Sequence, residues 1–225
     1  QRVSGWLRNV GLRHAVITEE DLVRSGGAGS RVIILPYNPQ PEGALMETLR
    51  RYVGAGGRLI VCYSESADLA TLVGVKLGDY LQSRDPARWT SMVFEQPDEW
   101  NLPECVYQHS WNIRTAQPIK GRGRVLARWA NADGAALPEP AWLATDHGFW
   151  MTHVLLDDDR AGKERLLLGL VGRFDPSAWT QAAQHAAEQA GKIDDFPTLA
   201  ASLDGIRRLA DGSPARDAIE ARLAQ

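Results

Sequence analysis

The chain has 225 residues, of which 44% are hydrophobic and 24% charged, and its formal net charge at pH 7 is −3. This is the composition of a globular protein, and the length suits one large domain or one domain with an appendage. The small and evenly spread charge excludes nucleic acid and anionic membranes as expected partners. The longest apolar runs, residues 32–35 and 166–171, are far too short to span a bilayer.

The first residue is Gln1 rather than Met, which predicts a processed product or an excised piece of a longer polypeptide. A processed N-terminus would fit an extracytoplasmic location, which the sequence otherwise leaves open. The two cysteines, Cys62 and Cys105, are expected to be free thiols, because a cysteine inside a buried strand usually just packs. No CxxC motif or His/Cys spacing indicates a metal, and we predict no cofactor.

The N-terminal residues predict short elements around a flexible loop. Residues 4–13 have helical periodicity with Ser4 as a cap, residues 15–17 read as a short strand, and residues 19–23 as a helical turn. A glycine-rich loop follows at residues 25–29.

Residues 31–63 predict a βαβ unit, the clearest local structure of the chain. A buried strand at 31–35 precedes an amphipathic helix at 43–53, and Gly56 and Gly57 end that helix before a second buried strand at 59–63. Such a unit requires a right-handed crossover and parallel strands, so it indicates an α/β fold. Another helix, capped by Ser66, is expected over residues 66–75.

After residue 81 the pattern changes to short strands, and we expect an antiparallel extension of the sheet with a long irregular insertion over residues 83–119. The predicted strands are 91–94, 105–107, 124–130, 141–145 and 149–155, with turns at residues 131–134 and 147–148. The C-terminal part is predicted to be helical over residues 177–190, 196–210 and 214–223.

Three segments resemble one known family. They are VIILPYNPQ, then YVGAGGRLIVCYSES with LATLVGVKLG, and finally VLARWANADGAALPEPAWLATDHGFWMTHVLLDDD. Together they are similar to the class I glutamine amidotransferase-like domains, and more narrowly to the trimerisation domain of β-galactosidases and to domains that accompany family 10-like glycosyl hydrolases. The resemblance implies a flavodoxin-like three-layer sandwich with a mainly parallel sheet, an antiparallel extension and C-terminal helices. We therefore divide the chain into an α/β domain, residues 1–172, and a C-terminal helical extension, residues 173–225.

Glutamine amidotransferases place a nucleophilic Cys on a strained strand-to-helix turn that needs small neighbours. Here that position falls near Tyr63, no glycine flanks it, and Cys62 lies one residue early, where a strand would point it the wrong way. The late His-x-Glu pair of the family is absent as well. We therefore predict no glutaminase activity and no catalytic residue, although Cys62 with His147 or His153 as its base is an alternative.

Two groups of residues are candidate ligand-binding sites. Ligands of open α/β sheets bind at the carboxyl ends of parallel strands, which predicts a pocket at Tyr37, Asn38, Ser64, Glu65 and Ser66. Helix capping by Ser64 or Ser66 explains the serines equally well without a ligand.

The second group is Asp146, His147 and Trp150, with His153 nearby, because a Trp beside Asp and His can stack on a sugar ring and bond its hydroxyls. A hairpin turn with a core Trp and a sheet His is the alternative interpretation.

The favoured function is a non-catalytic accessory domain of a larger carbohydrate-active, glycoside hydrolase-like protein. Its partner would be a neighbouring domain or subunit, held by aromatic anchors such as Trp150 or Trp111. Carbohydrate binding and a homo-oligomer both stay open. The alternative function is a stand-alone hydrolase or a small-molecule or carbohydrate-binding protein that uses the crevice at the strand carboxyl ends.

Overall fold

The structure is a computed structural model that describes residues 2–189, 199–210 and 216–217. The helices in this part of the chain are α1 (Arg2–Asn9), α2 (Glu19–Ser25), α3 (Gly43–Gly54), α4 (Ala67–Val73), α5 (Arg160–Phe174), α6 (Ser177–Gln189) and α7 (Leu199–Ala210), with a 3₁₀ turn at Pro97–Trp100. The strands are β1 (Val32–Leu35), β2 (Arg58–Val61), β3 (Val75–Gln82), β4 (Trp89–Phe94), β5 (Cys105–Ser110), β6 (Asn112–Pro118), β7 (Gly123–Ala130), β8 (Ala136–Thr145) and β9 (Gly148–Met151).

Seven strands form one sheet in the order β1-β2-β9-β8-β7-β4-β5, and β3 pairs with β6 in a small second sheet. The pairs β1–β2 and β2–β9 are parallel, while the other four neighbouring pairs of the large sheet are antiparallel. The predicted α/β fold, a parallel sheet extended by antiparallel strands and followed by C-terminal helices, is confirmed. The antiparallel extension is the larger part of that sheet.

The predicted βαβ unit forms from β1, α3 and β2. The two strands pair in register from Val32 with Arg58 to Leu35 with Val61. The apolar side of α3 buries Leu49 and Tyr52, among others, against the sheet. Gly56 adopts φ +95°, so the chain reverses where the sequence predicts the end of the helix.

Helices cover both faces of the sheet, which makes three layers. One hydrophobic core joins α1, α5 and the start of α6 to the sheet through residues such as Trp6, Leu167 and Ala178. The other core joins α2, α3 and α4 to the opposite face through residues such as Leu22 and Leu49. We call these the α1/α5 face and the α3/α4 face.

Several local predictions are wrong. Ser4 lies inside α1 rather than at its cap, and residues 15–17 form no strand in the described chain. Residues 83–119, expected to be an irregular insertion, contain β4, β5 and β6. The sequence pattern did not predict α5. The predicted C-terminal helix at 214–223 lies mostly outside the described residues.

The division at residue 172 stays a prediction. At that point α6 packs directly on α5, because a Cβ atom built on Gly172 would lie 2.4 Å from Nε1 of Trp179. Ala178 of α6 is buried in the core of the α1/α5 face.

The outer edge of β5 is closed by the loop before α5. The backbone N–H groups of Tyr107 and His109 donate to the carboxylates of Asp159 and Asp158, each at 2.9 Å. Asp159 also caps α5 by accepting from the N–H of Gly162. Lys163, completely buried in α5, donates from Nζ to the carbonyl oxygen of Asp158.

Candidate functional site

The two predicted groups of site residues lie at opposite edges of the parallel strands. Asn38 and Ser64 follow the carboxyl ends of β1 and β2. Asp146 and His147 precede β9, which begins beside Leu59 at the amino end of β2. The structure therefore does not combine the two groups into one site.

At the carboxyl edge, the loops after β1 and β2 are bonded to each other. The Ser64 hydroxyl, which is buried, donates to the carbonyl oxygen of Pro39 at 3.0 Å, and the N–H of Glu65 donates to the same oxygen at 2.8 Å. The Ser66 hydroxyl accepts from the N–H of Leu69 and caps α4, as the capping interpretation predicts. These bonds already use both serine hydroxyls, so the serines need no ligand to satisfy them.

Aromatic rings form the surface of this edge. The exposed ring of Tyr37 stacks on Tyr63 with 5.9 Å between centroids, and the Tyr63 hydroxyl donates to Glu65 at 2.8 Å. Burial, with Glu65 beside it, raises the pKa of Tyr63 to about 12, so this phenol stays protonated at neutral pH. The Asn38 amide donates to Glu19 at 2.7 Å. An open face of Tyr37 with Glu65 nearby can stack on a sugar or a peptide group. As ligand-binding residues, these remain predictions.

Cys62 lies in the core of the α1/α5 face and is completely buried. Burial raises the pKa of its thiol to about 12, so no thiolate is available at neutral pH. Among the described residues, positive φ at non-glycine positions occurs at Gln96, Asn101 and Asp159, and none of these is at the end of β2. Within the described residues, the end of β2 therefore has no non-glycine residue with positive φ. Both cysteines are free, as expected.

The residues of the second group differ in burial and do not face one common surface. Asp146 is exposed in the turn between β8 and β9, whereas the Trp150 side chain is almost completely buried in the core of the α3/α4 face. His153 is also buried, with Nε2 3.2 Å from the amide oxygen of Asn112. Trp150 therefore presents no ring to a ligand, and of the two proposed anchors only Trp111 is exposed.

His147 stands next to this turn in a basic environment. Burial lowers its pKa, and the charges of Arg122 and Arg58 lower it further against the opposite effect of Asp146. The ring is therefore neutral at pH 7. Its Nδ1 atom is buried with no hydrogen-bond partner in the described structure.

Sequence reasoning missed a large cavity at the amino edge of the parallel strands. It has a volume of about 1280 Å³ and is bounded by the glycine-rich loop, the end of α3 and the starts of β2 and β7. Its lining includes five arginines, Arg31, Arg51, Arg58, Arg124 and Arg173, and one acidic residue, Asp146. Residue spacing carries no signal of this cavity, because these arginines come from distant parts of the sequence.

Aromatic rings hold some of these arginines in place. The guanidinium groups of Arg124 and Arg173 lie 4.7 and 5.3 Å from the Trp100 ring centroid, and that of Arg58 lies 5.8 Å from Phe174. Arg124 is also paired with Glu99 at 2.6 Å. A positively charged cavity with aromatic walls is suited to an anion that carries a flat or apolar body.

A row of exposed aromatic side chains runs along β5 and the residue after it. Tyr107 and Trp111 are 62% and 63% exposed, and His109 lies between them on the same side of the strand. We call Tyr107, His109 and Trp111 the β5 stripe. Exposed aromatic residues at alternate positions are typical anchors of protein interfaces and of sugar-binding surfaces.

The described residues contain neither a metal site nor a membrane-spanning helix. No group of three or more His, Cys, Asp and Glu side chains in this part of the chain is arranged to hold a metal ion. None of the helices described has the length and apolar character that a bilayer crossing requires.

No protein-family model matches the chain, and no curated protein matches its sequence. Solved structures do match. A β-galactosidase from Rahnella sp. R3 superposes with a TM-score of 0.53 and 16% identity over 75% of this chain, which spans only 26% of that enzyme. A protein described as ThuA-like from Bacteroides uniformis ATCC 8492 superposes with a TM-score of 0.56 and 10% identity, over 76% of this chain and 81% of that one. A protein from Thermoplasma acidophilum, described as one of the subunits of GMP synthase, superposes with a TM-score of 0.53 and 12% identity, over 80% of this chain and 90% of that one.

At these identities the likeness shows the fold alone. The chain has the glutamine amidotransferase-like, flavodoxin-like fold, and it shares that fold with a part of a β-galactosidase. The family resemblance seen in the sequence is confirmed at this level. Activity, substrate and partners do not follow from the likeness.

Proposed function

We propose that this chain is a non-catalytic accessory domain of a larger carbohydrate-active protein, where it holds a neighbouring domain or subunit. The observation that carries the proposal is that the chain spans about a quarter of a β-galactosidase and has the fold of that quarter. The buried, protonated Cys62 supports the absence of amidotransferase chemistry. The bonds that occupy Ser64 and Ser66 support a structural role for the carboxyl edge.

The β5 stripe is our proposed contact with the neighbouring domain or subunit. Trp111 and Tyr107 expose large rings without a covering element in the described chain. Interfaces concentrate their binding energy in such aromatic residues, and truncation of a good anchor costs about 2 kcal/mol or more.

A pair of photo-crosslinking variants tests this contact in the natural full-length polypeptide. Benzoylphenylalanine replaces Trp111 in one variant and, as the matched control, the exposed Tyr37 in the other. We expect crosslinks to another domain or subunit from position 111 and none from position 37. Crosslinks from position 37 alone, or from neither position, would refute the β5 stripe as the contact.

Activity assays test the absence of catalysis. The 225-residue chain should release no product from nitrophenyl glycosides and no ammonia from glutamine, whereas the full-length polypeptide should hydrolyse at least one glycoside. Turnover by the 225-residue chain that is lost in Cys62→Ala would contradict the proposal. It would also establish the alternative of a stand-alone hydrolase.

A second candidate function is the binding of an acidic small molecule in the arginine-lined cavity. The excess of arginine over acidic groups there and the rings of Trp100 and Phe174 favour a negatively charged sugar over a neutral one. Calorimetry with glucuronate and with glucose tests this. Glucuronate should bind, glucose should not, and Arg173→Gln should weaken binding. Equal binding of both sugars, or of neither, would refute this candidate.

A further inference from the structure

One edge of the seven-stranded sheet is unpaired. Strand β1 is the first strand in the order and has β2 as its only neighbour in the described chain. The carbonyl oxygens of Arg31 and Leu35 accept from the N–H groups of Arg58 and Cys62 in and after β2. Because backbone groups alternate between the two sides of a strand, the N–H and C=O groups of Val32 and Ile34 point away from β2 towards the open edge.

A second unpaired segment faces this edge. Residues 14–17 belong to no helix or strand, and no backbone hydrogen bond is formed by Ala15, Val16 or Ile17 in the described structure. Val16 and Ile17 are 72% and 50% exposed, so two adjacent large apolar side chains lie open to solvent here. Both this segment and β1 border one groove of about 740 Å³, and no backbone hydrogen bond joins them in the described structure.

The groove is lined mainly by apolar side chains. Leu7 and Leu12, at and after α1, border it, and Val171 of α5 closes it on the α1/α5 face. Ile33 of β1, which packs towards the α3/α4 face, lines it as well. Neighbouring strands are spaced by about 4.8 Å, so a strand seated in this groove beside β1 would lie at pairing distance from its open edge.

The direction of the neighbouring elements fixes the direction of the missing strand. Arg2, at the start of α1, pairs with Asp157 at 2.6 Å and donates to the carbonyl oxygen of Leu155, both beyond the carboxyl end of β9. Glu19, which follows residues 14–17 at the start of α2, accepts a hydrogen bond from Asn38 beyond the carboxyl end of β1. Helix α1 therefore runs from the carboxyl edge to the amino edge, and residues 14–17 run back parallel to β1.

The side on which α1 packs agrees with a known handedness rule. Helix α3, which connects β1 to β2, lies on the α3/α4 face together with α2, which precedes β1, whereas α1 lies on the opposite face. Right-handed crossovers place helices on opposite faces when the strand order reverses. A strand in the groove, connected through α1 to residues 14–17, gives the flavodoxin-like order in which the first strand lies between the second and the third.

We propose that this groove is filled by a β-strand of the same natural polypeptide, positioned immediately before Arg2, which runs parallel to β1 and pairs with both β1 and residues 14–17. Because such a strand is buried on both faces, it should be a continuous apolar run of about five residues rich in Val, Ile and Leu. The strand would cover Val16 and Ile17, and its pairings would extend the parallel part of the sheet that β1, β2 and β9 begin.

Amide hydrogen exchange tests the proposal with controls inside the same strand. The 225-residue chain is compared with the natural polypeptide that carries about 15 further residues before Gln1, enough for one such strand and its turn. Exchange at Val32 and Ile34, whose N–H groups face the groove, should be roughly 100-fold slower in the longer chain. Ile33 and Leu35, whose N–H groups face β2, should change much less.

Each other result would overturn the proposal. Equal exchange at Val32 and Ile34 in the two chains would mean that the upstream residues do not occupy the groove. Protection in the 225-residue chain that grows with protein concentration would assign the edge to a second copy. Protection there at every concentration would mean that residues 14–17 close onto β1 by themselves.

A proline variant provides a second readout if the longer chain gives poor spectra. Ile34→Pro removes only an N–H that faces the groove, and proline is tolerated where that group faces solvent. It should lower the melting temperature of the longer chain by several degrees more than that of the 225-residue chain. An equal loss in both chains would contradict the pairing.

Discussion

The buried Lys163 should make the stability of this protein rise with pH in a defined window. Its side chain is completely buried, its ammonium group donates to the Asp158 carbonyl oxygen, and Nζ lies 3.9 Å from the Asp158 carboxylate. Burial lowers its pKa from 10.5 to about 8, and the attraction of Asp157, Asp158 and Asp159 compensates only in part. The perturbation that isolates this effect is Lys163→Met, which keeps the length of the side chain and removes the charge.

The difference in proton binding between the folded and unfolded chain determines whether stability rises or falls with pH. Between pH 8 and 10.5 the unfolded chain keeps the lysine proton that the folded chain has released, so the free energy of unfolding increases with pH in this window. One pKa unit corresponds to about 1.4 kcal/mol, and the shift gives an increase of about 2 kcal/mol between pH 7.5 and 9.5. Below pH 7.5 both states hold the proton, and the contribution of Lys163 becomes constant.

Urea unfolding followed by tryptophan fluorescence measures this at pH 7.5 and 9.5. The quantity to compare is the difference in the free energy of unfolding between wild type and Lys163→Met. Ionisation of Cys62 in the unfolded state lowers the stability of both proteins equally above about pH 9, so its effect cancels in this difference. Lys76→Met, which removes an exposed lysine of β3, is the matched control and should keep the wild-type rise. A difference between wild type and Lys163→Met that stays constant within about 0.5 kcal/mol would show that the Lys163 ammonium group is solvated, and the reasoning would be refuted.

Three further predictions follow from single contacts. Gly148→Ala should lower the free energy of unfolding by more than about 3 kcal/mol, because φ is +151° and the new Cβ atom would lie 1.8 Å from the Leu59 carbonyl oxygen. Gly134→Ala, where φ is +78° but the space is open, should lower it by about 1 kcal/mol in the same urea assay. Ser66→Ala should lower the free energy of unfolding by about 1 kcal/mol in that assay, because α4 loses its N-cap. An unchanged free energy of unfolding would show that Ser66 does not cap α4. A thiol reagent should label Cys105 in the native protein and Cys62 only in denaturant, so rapid native labelling of both would disprove the burial of Cys62.

The sequence was sufficient for the βαβ unit because its local signals agree with its tertiary environment. The apolar run of β1 packs between two layers of helices although its outer edge is open, α3 has one apolar side, and Gly56 takes the left-handed conformation that ends the helix. The Ser66 cap was readable for the same reason, since it depends only on the three residues that follow it.

The sequence pattern did not predict helix α5, because its residues are chosen for tertiary contacts rather than for helix propensity. It contains Gly162, Gly169 and Gly172, which lower helix propensity, and these glycines are explained only by what lies against them. A Cβ atom on Gly169 would lie 2.6 Å from Leu102, and one on Gly172 would lie 2.4 Å from Trp179. Close packing of this kind is a tertiary property that no local pattern reveals.

The candidate sites were predicted less well because a binding surface depends on exposure. Asp146 and Trp150 are close in sequence, yet one is in a turn and the other is almost completely buried. The arginine-lined cavity shows the opposite difficulty, since Arg31, Arg58 and Arg173 meet only after the chain has folded.

The two outer edges of the large sheet have consequences for self-association. At β5, the Asp158 and Asp159 carboxylates already occupy the amides that another molecule would need, whereas β1 leaves its outer backbone groups unoccupied in the described chain. The described part of the 225-residue chain, without the proposed upstream strand, therefore has one unpaired edge in this sheet. It can pair once through that edge, across a two-fold axis, and cannot extend into a fibre through this sheet. Acidification that protonates Asp158 would release the amide of His109 at the second edge, so fibrillar aggregation should begin only at a pH low enough to discharge this carboxylate, whose pKa is lowered in the folded chain.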